Sequence, residues 1–245
     1  MSLTQQILEK TTALSDAEFN YTNTSDFTAI DTLDDDCNAI VLDATVIYLE
    51  IKNIDVLLKT GKRLASRIYK IYYNALKQVC QETGGHLNAY SPHSFLMIYP
   101  KSKYDMSYVV DTALKTADLL SVSLREPFEK HGPCNFAMGI DNGNILGTKT
   151  SADNNETHIA WFGQAIEKAI TICRLCQKPC YVGISGTVFH HLDESLTKTT
   201  KRIIGIKKEV DIWTRVSYEF ENVKKHLYQT NFHKPFDEGG KEGGK

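Results

Sequence analysis

The chain has 245 residues, 42% of them hydrophobic and 24% charged, which suits one medium domain with extensions around a packed core. Its formal net charge of −2 is not the basic excess that phosphate neutralisation leaves behind; no basic stripe is expected along any helix, and no nucleic-acid partner. No run approaches the roughly 20 apolar residues of a membrane span, and no basic-then-apolar leader opens the chain, so a cytoplasmic protein without membrane contact is expected.

Residues 1–38 read as a partly disordered N-terminal extension. Residues 2–14 suit a short helix, and the polar stretch that follows, ending Asp34-Asp35-Asp36, buries too little to offset chain entropy. Residues 45–51 are β-branched and aromatic, a strand. After a turn at Lys52-Asn53, Leu57, Leu64, Ile68, Tyr72, Leu76 and Val79 recur at helical spacing until Gly84-Gly85. Residues 86–90 and 94–99 form a hairpin joined at Ser91-Pro92-His93. A second helix covers about 104–130. Residues 135–140 form a strand running into a glycine turn, Asp141-Asn142-Gly143-Asn144. A helix over 166–175, a strand over 180–184, a short helix over 185–191 and a last strand over 210–216 complete the domain, 39–218. Residues 219–245 read as a C-terminal tail, flexible at its end.

This order predicts an α+β fold, a ferredoxin-like βαββαβ core with a mixed, mainly antiparallel sheet. Six cysteines are expected to be reduced. Three of them, Cys173, Cys176 and Cys180, cluster without a second CxxC pair or nearby histidines, so they read as small core side chains rather than zinc ligands.

Five ordered landmarks carry a resemblance: the strand Val46-Ile-Tyr-Leu-Glu50-Ile-Lys-Asn; Gly84-Gly85 followed by the hairpin with Pro92-His93 at its tip; Gly139-Ile-Asp-Asn-Gly143; Trp161-Phe-Gly163-Gln164 opening a helix through Glu167 and Thr171; and Ile204-Gly205 in a closing strand pair. Over residues 40–216 the sequence resembles class III adenylate and guanylate cyclase catalytic domains. The resemblance implies that two aspartates would hold Mg2+ or Mn2+ ions, which activate the ribose 3′-oxygen and neutralise the triphosphate. Those positions fall on Glu50, with Ile51 beside it, and on His93. Glu50 still offers oxygen, but an imidazole suits Mg2+ poorly, and His93 also reads as a solvated tip residue.

Base recognition falls on Ala89, which offers no side-chain hydrogen bond, and on Gln164, which offers donor and acceptor or else caps its helix. The transition-state Asn and Arg positions are Glu167 and Thr171, with Arg174 as a stand-in cation or a surface arginine. Losing one such electrostatic donor commonly costs about 2.7–4 kcal/mol of barrier. The amides of Lys52, Asn53, Ile54 and Asp55, at the start of a helix, remain able to cradle phosphate. Three functions follow as expectations. The first is a catalytically impaired cyclase homologue that binds a nucleoside triphosphate, or pairs head to tail with itself or with an intact cyclase. The second is an active, divergent cyclase converting a triphosphate, UTP or CTP among them, into a 3′,5′-cyclic nucleotide and pyrophosphate. The third is a non-enzymatic ferredoxin-like interaction module.

Overall fold

The structure is a computed structural model and describes residues 1–30, 33, 38–130, 135–151, 157–176, 178–203 and 206–236. Cys37, Cys134, the Asp34–Asp36 run, Ile204-Gly205 and the glycine-rich terminus lie outside the described residues. In chain order the elements are α1 (Leu3–Asp16), β1 (Asn20–Thr24), β2 (Asn38–Ile51), α2 (Ile54–Thr60), α3 (Lys62–Thr83), β3 (His86–Ser91), β4 (Ser94–Pro100), α4 (Met106–Asp118) and α5 (Arg125–Glu129). Then come β5 (Phe136–Ser151), β6 (Thr157–Phe162), α6 (Gln164–Leu175), β7 (Val182–Ser185), α7 (Gly186–Phe189), β8 (Lys198–Ile203), β9 (Ile206–Asp211), β10 (Thr214–Phe220) and β11 (Val223–Thr230).

The sheet runs β10-β11-β7-β5-β2-β4-β3, with β1 added to β2 and β6 to β5. Only β1–β2 and β5–β7 are parallel, so the sheet is mixed and mainly antiparallel, as expected, with β2-α3-β3-β4-α4-β5 as the βαββαβ core. β2 is buried on both faces, which explains its near-continuous apolar run. Ile47, Leu49 and Ile51 pack with Ile68, Tyr72 and Leu76 of α3 and Val109 and Ala113 of α4. On the other face Ala44, Val46 and Tyr48 pack with Ala165, Ile166, Ala169 and Cys173 of α6. Cys173 and Cys176 are buried there, and the Cys173 thiol donates to the Ala137 carbonyl at 3.2 Å.

Several expectations are corrected. The first long helix breaks at Gly61, which ends α2 and opens α3. The second gives way after Asp118 to a π-helical turn, 119–123, before α5. Asp141–Asn144 is no turn: these residues stay in β5, paired with Asp43–Val46 of β2. The strand expected over 210–216 is divided at Ile212-Trp213. β9 pairs with β8 in a separate ribbon, whereas β10 enters the main sheet. β11 lies within the segment read as a tail, joined to β10 through Glu221 and Asn222, both at positive φ (52° and 61°). That turn lacks the glycine that marks such hairpins in a sequence.

The N-terminal segment also contributes a strand. β1 pairs with residues 38–42 of β2, held by edge hydrogen bonds rather than by burial. α1, by contrast, buries nothing. Deleting residues 1–17 is therefore expected to leave stability within about 0.5 kcal/mol. Deleting 1–24 strips the β1 ladder and is expected to cost about 2 kcal/mol in urea denaturation. Identical unfolding curves for the two truncations would contradict this.

A basic row is the last correction. Lys62, Arg63, Arg67 and Lys70 line one shallow groove on α3, and Lys77 continues the row two turns on. The whole-chain charge conceals what a 3.6-residue period gathers on one helix face.

Candidate functional site

β2 and β4 run antiparallel, setting Ser94 opposite Glu50. The Ile51 amide donates to the His93 carbonyl at 2.8 Å. The backbones of Glu50, Ile51 and His93 therefore meet at one corner of the sheet. The side chains there do a different job. Lys52 Nζ lies 3.3 Å from Glu50 Oε1, with only 20% and 17% of the two side chains exposed. Lys52 is the first residue past β2, and its amide still donates to the Asn135 carbonyl at 2.8 Å, so it keeps the two-residue alternation that puts its ammonium on the side of the carboxylate. The corner thus offers one carboxylate, already neutralised from within, and one imidazole at a half-buried tip. Among the described residues, no three His, Cys, Asp or Glu side chains come together as an ion-binding group. A hard divalent cation fits this donor set poorly.

Asn53 precedes α2, Ile54 opens it, and Asp55 sits exposed in its first turn. α6 begins at Gly163, where φ is +144° and an added Cβ would come within 3.0 Å of the Asn144 carbonyl oxygen; this position needs glycine. Gln164 caps nothing; its Nε2 donates to Glu221 Oε2 at 3.2 Å, turning it toward the β10–β11 turn. The Thr171 hydroxyl donates to the Glu167 carbonyl at 2.9 Å and is thereby spent on its own helix. Glu167 and Arg174 are exposed and flank Tyr90 of β3. Burial, then the Glu167 carboxylate, push the Tyr90 hydroxyl pKa up, and Arg174 pulls it back. Tyr90 meets Tyr48 edge to face, ring centroids 5.7 Å apart. Ala89 is exposed and lines a separate cleft of about 480 Å³ with His86, Asn88 and Trp161, which Gln164 does not join.

The structure therefore gathers Glu50, Ile51, Lys52 and His93 at one corner, and brings Glu167 and Arg174 to the hairpin through Tyr90. It does not bring Ala89 and Gln164 into one pocket. The sequence reading missed the Glu50–Lys52 pair, although the Glu-x-Lys spacing on a strand signals it. It also missed Asp141, read as a turn residue.

Asp141 is 1% exposed. Burial raises its pKa, while Ser185, Lys168, the Asn142 amide and Lys225 pull it down without cancelling the rise. A carboxyl whose folded pKa exceeds its unfolded value binds more protons when folded, so its ionisation removes stability as pH rises. Asp141→Asn is expected to raise the melting temperature at neutral pH, with the advantage shrinking as pH falls through the raised folded pKa and gone below about 4. Thermal melts across pH check this, and an advantage that grows toward acid would refute it.

No family model and no curated protein matches the sequence. Solved structures do match, and they define the class: the fold is that of class III nucleotidyl cyclase domains. The guanylyl cyclase Cya2 superposes with a TM-score of 0.62 at 12% identity, covering 80% of this chain and 96% of that one. The adenylyl cyclase CyaB from Pseudomonas aeruginosa gives 0.62 at 14% identity, covering 78% and 95%. A class III adenylyl cyclase-like ATP-binding protein from the same organism gives 0.65 at 14% identity, covering 79% of this chain and 44% of that one. At such identities the likeness establishes the fold. No helix among the described residues is long and apolar enough to cross a membrane.

Proposed function

We propose that this chain is a nucleotidyl cyclase-fold domain that has lost ring-closing chemistry. It acts by binding a nucleoside triphosphate and pairing head to tail with a second copy or an intact cyclase domain. The Glu50–Lys52 ion pair carries this reading. A cyclase must bring two hard cations to this corner to ionise the 3′-oxygen and steady the departing pyrophosphate. Here a tethered ammonium neutralises the one carboxylate, and no bound Mg2+ or Mn2+ is required to hold the corner together. An ammonium can still attract a triphosphate, and Lys52 with the amides of Asn53, Ile54 and Asp55 is the proposed phosphate contact.

The α6 positions support the same reading. Thr171 is spent on its own helix, and Glu167 would repel a triphosphate. Arg174 beside it supplies a cation that can steady a bound nucleotide. One structural neighbour is described as a cyclase-like ATP-binding protein, the behaviour proposed for this chain.

The test is incubation of the purified chain with ATP, GTP, CTP and UTP in turn, with Mn2+, followed by chromatography. The triphosphates are expected to be recovered intact, with no cyclic product above a protein-free blank. Metal-dependent cyclic nucleotide formation would sink the reading.

A further inference from the structure

Beside α6, on the flank away from the β3–β4 hairpin, β5, α6, β7, β10 and β11 enclose a cavity of about 280 Å³. Its floor is Asp141, and Lys168, Arg215 and Lys225 bring positive charge from three different elements. Tyr218 and Tyr228 supply aromatic wall. None of these residues belongs to the corner held by Glu50 and Lys52.

Asp141 makes the cavity more than a basic surface. Its Oδ2 is buried and has no hydrogen-bond partner among the described residues. The nearest cation, Lys168 Nζ, stands 3.8 Å away, beyond hydrogen-bond reach. A buried carboxylate oxygen without a donor is costly and rare, so this one is arranged to meet a donor that enters from the cavity. The surrounding three cations call for an anion. One ligand must then offer negative charge and a proton on the same small group.

We propose that this cavity binds inorganic phosphate, which retains a proton near neutral pH. Arg215, Lys168 and Lys225 neutralise the ionised oxygens, the guanidinium with its planar fork. The remaining P–OH donates to Asp141 Oδ2. Sulfate, which carries no proton near neutral pH, would face the Asp141 carboxylate with repulsion and leave it unpaired. The site is therefore selective between two anions of nearly equal size and charge.

The test uses the full chain and thermal unfolding at constant ionic strength, near neutral pH, with inorganic phosphate, sulfate or phenyl phosphate added. The melting temperature is expected to rise saturably with phosphate, and sulfate to be weaker by about tenfold, the worth of one charge-assisted hydrogen bond. Asp141→Asn is expected to abolish that discrimination, because an amide can donate to a fully ionised oxygen. Arg215→Ala and Lys225→Ala, substitutions on exposed and half-buried strand positions, are each expected to weaken the response, whereas Lys224→Ala retains it. Phenyl phosphate, a proton-free dianion near neutral pH because its second ionisation falls near pH 6, is expected to respond no better than sulfate, and a response as strong as that to inorganic phosphate overturns the proposal. No saturable rise, equal response to phosphate and sulfate in the unaltered chain, or an undiminished response in both Arg215→Ala and Lys225→Ala overturns the proposal.

Discussion

Replacing Gly139 with alanine is expected to destabilise the chain by about 3 kcal/mol, at the upper end of what one added methyl costs in a packed core. A Cβ there would lie 2.0 Å from the Ala169 carbonyl oxygen and 2.5 Å from the Cys173 amide nitrogen. Both atoms are backbone of α6, so no side chain can rotate aside and the helix itself must lift. Lifting it opens the layer formed by Ala165, Ala169 and Cys173 against Ala44 and Val46. Gly183 gives an internal comparison, because its Cβ would meet only the side chains of Cys176 and Ile172 nearest. Gly183→Ala is expected to cost less. For a chain of this size, 3 kcal/mol corresponds to a fall of about 9 °C in melting temperature. A Gly139→Ala variant melting within about 2 °C of the parent would show that α6 has slack the close approach denies.

Phe95→Ala should cost about 4 kcal/mol, the usual range for deleting a buried aromatic ring. Phe95 is fully buried, stands opposite Leu49 in β2 and Ala89 in β3, and packs its ring against Tyr69 of α3 at 5.3 Å. It lies directly under the hairpin tip that carries His93. Its loss should therefore lower hydrogen-exchange protection in β3 and β4 more than in β7 or β11. Urea denaturation with exchange measurements checks both parts, and uniform loss of protection across the sheet would contradict the local one.

The fold was legible wherever side-chain period and burial agree. β2 and the β3–β4 hairpin announce themselves by β-branched and aromatic runs. α3 is marked by the spacing of Ile68, Tyr72, Leu76 and Val79, and the left-handed Gly84 ends it as expected. Glycine misled at Gly143, because a glycine inside a long ladder and one in a turn look alike in sequence; pairing with β2 decides between them. β1 and β11 were hidden for the opposite reason. β1 is polar and its ladder comes from Asn38–Leu42, while β11 pairs with β10 through a turn without glycine and with the remote Val182–Ser185.

The candidate site divides in the same way. Glu50 and His93 lie at one corner because strand register follows from the hairpin. The partners of individual side chains were not legible. That Gln164 turns to Glu221 depends on β10 and β11 folding back beside α6. No local pattern records that return.

Lys62, Arg63, Arg67, Lys70 and Lys77 are exposed on one helix, so this face carries a local positive field although the formal net charge of the chain is −2. Such a face draws an acidic neighbour or a negatively charged surface toward it before contact, and loses that guidance as salt shortens the reach of the field.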